Sequence, residues 1–316
     1  MSLHLVTGSD DNYLPGVLVL IASAAAHTPG LRATVLDNGI SAANRARIDA
    51  LGTRLGIPVR RIEIDEDDFA DLPVTRGHLT RSTYLRLLIP ALMPDEDRVL
   101  YMDCDMVVTD DLSPLGRLPL DDALLAAVPC PSPSAPELAD MGMPRGEYVN
   151  AGLLVMNLPA WRAEGLADRC RALLSDPSRP LRSEDQSALN LAARGRVLPL
   201  PARFNTYADP AAHGTVADLP RDPAVIHYVV GLKPWAGRVP LGRVWESYAA
   251  TIADLMPPLD KERWKRRLSG WNTRRKVILG AMLGRPKYRA RLQVERAIRD
   301  MEHRLAAGVP QPLSGR

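Results

Sequence analysis

The sequence predicts an α/β protein: a mostly parallel, doubly wound sheet with helices on both faces, followed by a basic helical C-terminal tail. Three observations predict it. The hydrophobic period switches repeatedly between two and 3.6 residues along the first half of the chain, as alternating strands and helices require. Of the 316 residues, 46% are apolar, enough for the core of one large domain. The charge is lopsided: residues 261–316 carry 16 Lys/Arg against 4 Asp/Glu, and residues 1–260 carry 24 against 33. An acidic body with a basic tail speaks of a partner for the tail, not of the fold. The expected division is residues 1–250 as the main domain and 251–316 as the tail.

Taken in order, "LHLVTG" reads as a strand and "DNYLPGVLVLIASAAAH" as a helix. "LRATVLDNG" is the next strand with its turn. "SAANRARIDALGTRLG" is helical, with Ser41 as N-cap and Gly56 near its end. "PVRRIEID" is a strand, "HLTRSTYLRLLIPALMP" a helix and "RVLYMDCDMVV" a continuous strand. "PCPSPSAPELADMGMPRG" is rich in Pro and Ser and reads as a loop long enough to serve as a lid. "NAGLLVMNL" is a buried strand, and "PAWRAEGLADRCRALLS" one helix with Pro159 in its first turn. "SEDQSALNLAAR" is a helix capped by Ser183 with Glu184 and Asp185 in its first turn. "AVIHYVVG" is a strand leading into "LKPW". The last 55 or so residues read as helical, basic and dotted with Trp.

Three cysteines, Cys104, Cys130 and Cys170, lie far apart without metal-knuckle spacing, as expected of reduced thiols in a cytosolic protein. The first apolar stretch follows charged "SDDNY" rather than a basic leader and is shorter than the roughly 20 residues a spanning helix needs. A cytoplasmic location is therefore expected.

Four polar clusters fall at strand ends or adjoining turns, where open α/β sheets gather ligands. In "TGSDDNY", Gly8 allows close approach to the backbone, Asp10 can accept hydrogen bonds from a base or ribose hydroxyl, and Tyr13 can stack. The plainer alternative is an Asx-type turn capping the helix. Asp103 and Asp105 flank Cys104 inside an apolar run. On a strand both would face one side and repel unless a cation joined them, and carboxylates suit Mg²⁺ or Mn²⁺. The plainer alternative is a pair of solvated turn residues like Asp110–Asp111. Asn150, Asp185 and Gln186 could bind sugar hydroxyls, or be a turn Asn and ordinary first-turn charge. His227 is either a packed strand residue or a third ligand for a Mn²⁺-like ion, with Gly231, Lys233 and Trp235 following it. Lys233 is a natural partner for a diphosphate.

Together these stretches resemble the retaining glycosyltransferases of family 8, to which bacterial lipooligosaccharide α-galactosyltransferases and glycogenin belong. The resemblance covers roughly residues 3–240, in order: "SDDNY", "VLDNGIS", "TYLRL", "VLYMDCDMVV", "GEYVNAGLLVMNLPAWR", "EDQSALN", "RFN" and "HY" with "GLKPW". It implies a GT-A fold for residues 1–250, a UDP-hexose donor (galactose or glucose), Mn²⁺ with Mg²⁺ as substitute, and a glycan, glycolipid or small-molecule acceptor. Asp103, Asp105 and His227 would ligate the metal. Gly8, Asp10, Asn12 and Tyr13 would hold the uridine end. Lys233 and the preceding glycine would contact the diphosphate. Arg86, Asn150, Ala151, Asp185 and Gln186 would surround the donor sugar. Two departures are clear: the family's His-x-x-Gly-x-x-Lys has its glycine one place late here, at Gly231, with Val230 in its slot, and the acceptor-side loop "PCPSPSAP" lacks the acidic and aromatic character of the galactosyltransferase relatives.

The implied chemistry is charge stabilisation on a departing diphosphate by a Lewis-acidic ion and by Lys233. Retention is implied by the resemblance. Because an amide is a poor nucleophile, same-face attack by the acceptor hydroxyl is expected rather than a covalent adduct. The tail mixes Lys/Arg with Trp264, Trp271 and Tyr288, as expected of a segment lying on an anionic membrane surface. Nucleic acid, which the same charge would attract, is not the expected partner. The competing readings are a nucleotidyltransferase, whose Gly-rich triphosphate loop is missing from "TGSDDNY", and a non-catalytic nucleotide-sugar, lipid or nucleic-acid binding protein with a basic tail.

Overall fold

The computed structural model describes residues 2–65, 81–178, 181–229, 231–259, 275 and 277–309; Val230, Trp264 and Trp271 lie outside them. Strands β1 (His4–Ser9), β2 (Arg32–Asp37), β3 (Val59–Glu63), β4 (Arg98–Met102) and β5 (Met106–Val108) come from the first part of the chain. Strands β6 (Leu125–Pro129), β7 (Val149–Asn157), β8 (Val197–Pro199), β9 (Thr206–Tyr207) and β10 (Val225–His227) follow. They form a seven-stranded sheet in the order β3-β2-β1-β4-β7-β6-β8 and a three-stranded sheet in the order β5-β10-β9. In the large sheet only β7 runs against its neighbours, antiparallel to both β4 and β6. This is the mostly parallel, helix-covered sheet the periodicity predicts.

Strand alternation builds two cores. On β4, Leu100 and Met102 join the apolar cluster on one face, and Val99 and Tyr101 join the cluster on the other. The first face is covered by α1 (Leu14–His27) and α2 (Ala42–Leu55). The short α4 (Ser113–Gly116) adds Leu115 to the same cluster. The second face is covered by α3 (Leu85–Leu92), α6 (Leu158–Ala163), α7 (Leu166–Leu174) and α8 (Glu184–Ala192). Each fully buried Leu on these faces contributes roughly 2 kcal/mol. Helix α1 is apolar on every side because it is sandwiched: it packs on β1 and also on β5 of the small sheet. The C-terminal helix, Pro286–Ala307, lays Val294, Ile298 and Met301 into the first core, alongside α9 (Gly242–Thr251).

Three expectations need correction. The run 98–108 is not one strand. It leaves the large sheet after Met102, turns through Asp103–Cys104–Asp105 and resumes as β5 in the small sheet, where Val108 pairs with Val225. The carboxylates therefore share a turn between two sheets, not one face of a strand. The "PCPSPSAP" segment is not all loop. Helix α5 (Ala135–Met141) starts there, because the Ser134 side chain accepts from the Glu137 N–H at 3.2 Å, and it ends at left-handed Gly142. The stretch 159–175 is two helices, α6 and α7, broken where Gly165 takes φ +57°.

Candidate active site

The cleft opens where β1, β4 and β10 end. Because β7 runs antiparallel, its second residue, Asn150, lies at the same edge. The cleft holds about 1170 Å³, more than a single small ligand fills. It brings together Gly8, Asp10, Tyr13, Asp103, Cys104, Asp105, Asn150, Asp185, Gln186, His227, Gly231 and Lys233 from all four sequence clusters, and Arg86 with them. Two candidates do not line it. Asn12 is exposed beside the rim, and Ala151 is buried behind the wall, where its N–H donates to Gln186 Oε1 at 3.1 Å.

Asp103, Asp105 and His227 form the heart of the cleft, with one ligand atom from each within 4.8 Å of the others. Each carboxylate divides its oxygens. Asp103 Oδ1 accepts from the Tyr101 hydroxyl at 2.7 Å and from Arg86 Nη2 at 3.1 Å. Its Oδ2 faces His227 Nε2 at 3.9 Å. Asp105 Oδ2 accepts from Lys233 Nζ at 2.6 Å, while Oδ1 stands 3.2 Å from His227 Nε2. Two carboxylate oxygens and one imidazole nitrogen converge on one space, a donor set that fits Mn²⁺ or Mg²⁺. Gly152 makes this approach possible: a Cβ there would sit 2.4 Å from His227 Cε1 and 2.8 Å from Asp103 Oδ2.

Electrostatics follow from burial and pairing. Burial would lift Asp105, but His227 and Lys233 outweigh it and hold the carboxyl below the ordinary range. Burial would lower Lys233, and Asp105 reverses that, so the ammonium is held charged. The three hydrogen bonds of Lys233 go to Asp105 and to the carbonyls of Tyr228 and Val229, at 2.6, 2.7 and 2.8 Å. Burial also opposes the charge on Arg86, but Asp103, Tyr101 and Asp185 more than restore it. Arg86 additionally donates to the Ala151 carbonyl and lies 4.8 Å from the centre of the Tyr101 ring.

Asp185 is the strained member. Arg86 Nε lies 3.0 Å from Asp185 Oδ2, yet its single N–H is directed at the Thr83 carbonyl at 3.1 Å. Oδ2 thus has Coulombic attraction without a donor, and it is buried. Burial, only partly offset by Arg86, pushes this carboxyl up to about 6. At the β1 end of the cleft, Asp10 Oδ1 accepts from the N–H groups of Asn12 and Tyr13 at 2.9 and 3.3 Å, so Asp10 caps the turn as well as lining the cleft. Tyr13 meets Trp235 edge-on, with centroids 5.6 Å apart.

Several contributors carried no assignment in the sequence. Tyr101 sits inside an apolar strand and is read there as core. Gly152 and Asn205 lie in the blocks "NAG" and "RFN", which could have flagged them. Glu137 is invisible until α5 exists; it is buried, accepting from the Tyr148 hydroxyl and from Ser187 Oγ, each at 2.7 Å.

Comparison with known proteins agrees with this geometry. The family described as "Glycosyl transferase family 8" matches residues 4–238. General stress protein A of Bacillus subtilis is 27% identical over 251 residues, covering 74% of this chain and 87% of that protein. The lipopolysaccharide 1,3-galactosyltransferase of Salmonella typhimurium is 27% identical over 246 residues, covering 73% of this chain and 72% of its own. Among solved structures, the galactosyltransferase LgtC in complex with donor and acceptor sugar analogues superposes with a TM-score of 0.70 at 30% identity, covering 81% of this chain and 97% of that one.

Proposed function

Because the chain belongs to glycosyl transferase family 8, and is therefore a glycosyltransferase of GT-A fold, we propose that it moves a hexose from a UDP-sugar to a hydroxyl acceptor. Galactose or glucose is the donor hexose, and the acceptor is a glycan, a glycolipid or a small molecule. The transfer retains anomeric configuration and uses a divalent cation, Mn²⁺ or Mg²⁺. The observation that carries this is the convergence of Asp103, Asp105 and His227 at the heart of the cleft.

An ion held by these three would supply Lewis-acid stabilisation of the charge developing on the departing diphosphate, worth several kcal/mol. Lys233 adds fixed positive charge beside Asp105. Arg86 ties Asp103, Asp185 and the Ala151 carbonyl into one wall, so the donor-sugar side is preorganised. Asp185 lines the cleft on the same side and pairs with Arg86, which suits the wall facing the donor sugar. Gln186 Oε1 already accepts from Asn150 Nδ2 at 2.8 Å and Ala151 N at 3.1 Å, which occupies both its lone pairs. This supports same-face attack by the acceptor hydroxyl, with a diphosphate oxygen taking its proton. Turnover surviving in Gln186→Ala fits this, whereas a glycosyl adduct trapped on Asp185 defeats it.

We assign residues 1–250 to the catalytic unit and 251–316 to the basic tail. Among the described residues no helix is long and apolar enough to cross a membrane. The tail does present Ile278, Leu279, Met282 and Leu283 at 40, 56, 78 and 73% exposure, with Arg285 and Lys287 close in sequence. Apolar side chains flanked by cations suit the inner, anionic face of the plasma membrane. The direct test of the whole reading is UDP release from a panel of UDP-sugars with Mn²⁺, with Mg²⁺ and with EDTA. Release that needs both a UDP-hexose and the ion is expected. No release from any UDP-sugar, or release indifferent to EDTA, defeats the proposed donor or the proposed metal respectively.

A further inference from the structure

We propose that Asn205 is a positioning residue of this site: it fixes the proton of His227 on Nδ1 and so presents the Nε2 lone pair to the cation, and it ties the metal ligand to the donor-sugar residues Asn150 and Gln186. The inference rests on reading His227 as a metal ligand.

The argument starts from two backbone amides. The Gly152 N–H donates to Asn150 Oδ1 at 3.1 Å, and the Ala151 N–H donates to Gln186 Oε1 at 3.1 Å. A backbone N–H can only donate, so both side-chain atoms must be oxygens and neither amide can be turned over. Everything downstream is then determined. Asn150 Oδ1, an acceptor, receives Asn205 Nδ2 at 2.7 Å. Asn205 must therefore point its Oδ1 the other way, at His227 Nδ1, 2.9 Å distant. An amide oxygen facing a ring nitrogen requires that nitrogen to carry hydrogen. His227 thus holds a proton on Nδ1, and Nε2, turned towards Asp103 and Asp105, is the atom left to ligate.

The same chain runs on in the other direction. Asn150 Nδ2 donates to Gln186 Oε1 at 2.8 Å, and Gln186 Nε2 donates to the Tyr148 hydroxyl at 2.9 Å. That hydroxyl donates to Glu137 on α5. Asn205 and His227 are each 2% exposed, so water does not substitute for these bonds. The placement of Asn205 is built into the small sheet: it is the last residue before β9, whose Tyr207 lies in parallel register with His227.

Two variants and one spectroscopic measurement test this. Asn205→Ala removes both bonds and is expected to weaken Mn²⁺ binding, measured by calorimetry without donor, by roughly 10- to 100-fold, as loss of an orienting partner does. Asn205→Asp still accepts from Nδ1–H but cannot donate to Asn150. It is expected to keep Mn²⁺ binding while lowering kcat more than it changes KM for the donor. The parent protein, metal-free above pH 8, is expected to show a protonated Nδ1 at His227 by ¹⁵N NMR, the signal being assigned with His227→Gln. A bare Nδ1, or undiminished Mn²⁺ affinity in Asn205→Ala, overturns the proposal. Loss of Mn²⁺ affinity in Asn205→Asp equal to that in Asn205→Ala also overturns it. If the parent itself binds no Mn²⁺, the metal reading fails instead, and the state of Nδ1 still decides whether Asn205 sets the ring.

Discussion

Asp185→Asn should make the protein more stable while crippling it. The folded chain lifts this carboxyl from 3.8 to about 6, through burial that Arg86 only partly offsets. A tenfold change in proton affinity is worth about 1.4 kcal/mol, so keeping Asp185 ionised in the folded state costs about 3 kcal/mol. The sign follows from proton counting. Between pH 4 and 6 the folded chain holds this proton and the unfolded chain releases it, so stability falls as pH rises through that window. Below pH 4 both states are protonated and the penalty vanishes. The neutral amide never incurs it. The variant should therefore match the parent at pH 4 and exceed it at pH 8 by about 3 kcal/mol, seen as a Tm higher by roughly 5–10 °C. Thermal unfolding of both proteins, metal-free, across this range is the assay. Transfer activity should fall, because Asp185 lines the cleft and is one of the two carboxylates that pair with Arg86 in its wall. A variant less stable than the parent at pH 8 would show that the Arg86–Asp185 attraction outweighs desolvation. A pH-independent difference would show that Asp185 titrates normally.

Other outcomes follow from the same geometry. Gly152→Ala inserts a Cβ 2.4 Å from His227 Cε1 and should abolish Mn²⁺ binding by calorimetry and cut kcat/KM by roughly 100-fold or more; near-parent values would mean that ligation does not depend on this close approach. Arg86→Lys keeps the charge but cannot reach Asp103, Asp185 and the Ala151 carbonyl together, so kcat/KM should fall, and Tm should drop as these acceptors lose their hydrogen-bond donors. Met282→Glu with Leu283→Glu should reduce co-sedimentation with anionic vesicles and leave turnover of a water-soluble acceptor intact; unchanged sedimentation removes the membrane assignment.

The fold was legible because its long elements obey single periods. Helix α1 and strand β7 are runs that only a buried helix and a buried strand explain. What escaped is short or contextual. Strands β8 and β9 have three and two residues, too few for a period to show. Helix α5 carried its own signals, Ser134 as cap and Glu137 three places on, but they were outweighed by the surrounding Pro and Ser. The candidate metal cluster is legible in residue type and misleading in geometry. Asp103 and Asp105 were expected to align through strand alternation, whereas a turn between two sheets sets them against His227. No local pattern reports a pairing such as Val108 with Val225, because it depends on a partner more than a hundred residues away.

The fixed charges bear on the diphosphate leaving group of the proposed reaction. Three carboxylates, Asp103, Asp105 and Asp185, meet two permanent cations, Arg86 and Lys233. With Asp185 near its midpoint at pH 6, the cluster lies close to neutral, so the protein bears it in a buried setting without a large self-energy. A divalent ion added to a near-neutral cluster makes it net positive, which is the complement of a diphosphate. Had the cleft been lined with cations alone, it would bind anions with or without metal and the folded state would carry unbalanced buried charge. With Lys233 committed to Asp105 and Arg86 to Asp103, the proposed reaction would make the positive field conditional on the ion and tie anion recognition and leaving-group stabilisation to the same event.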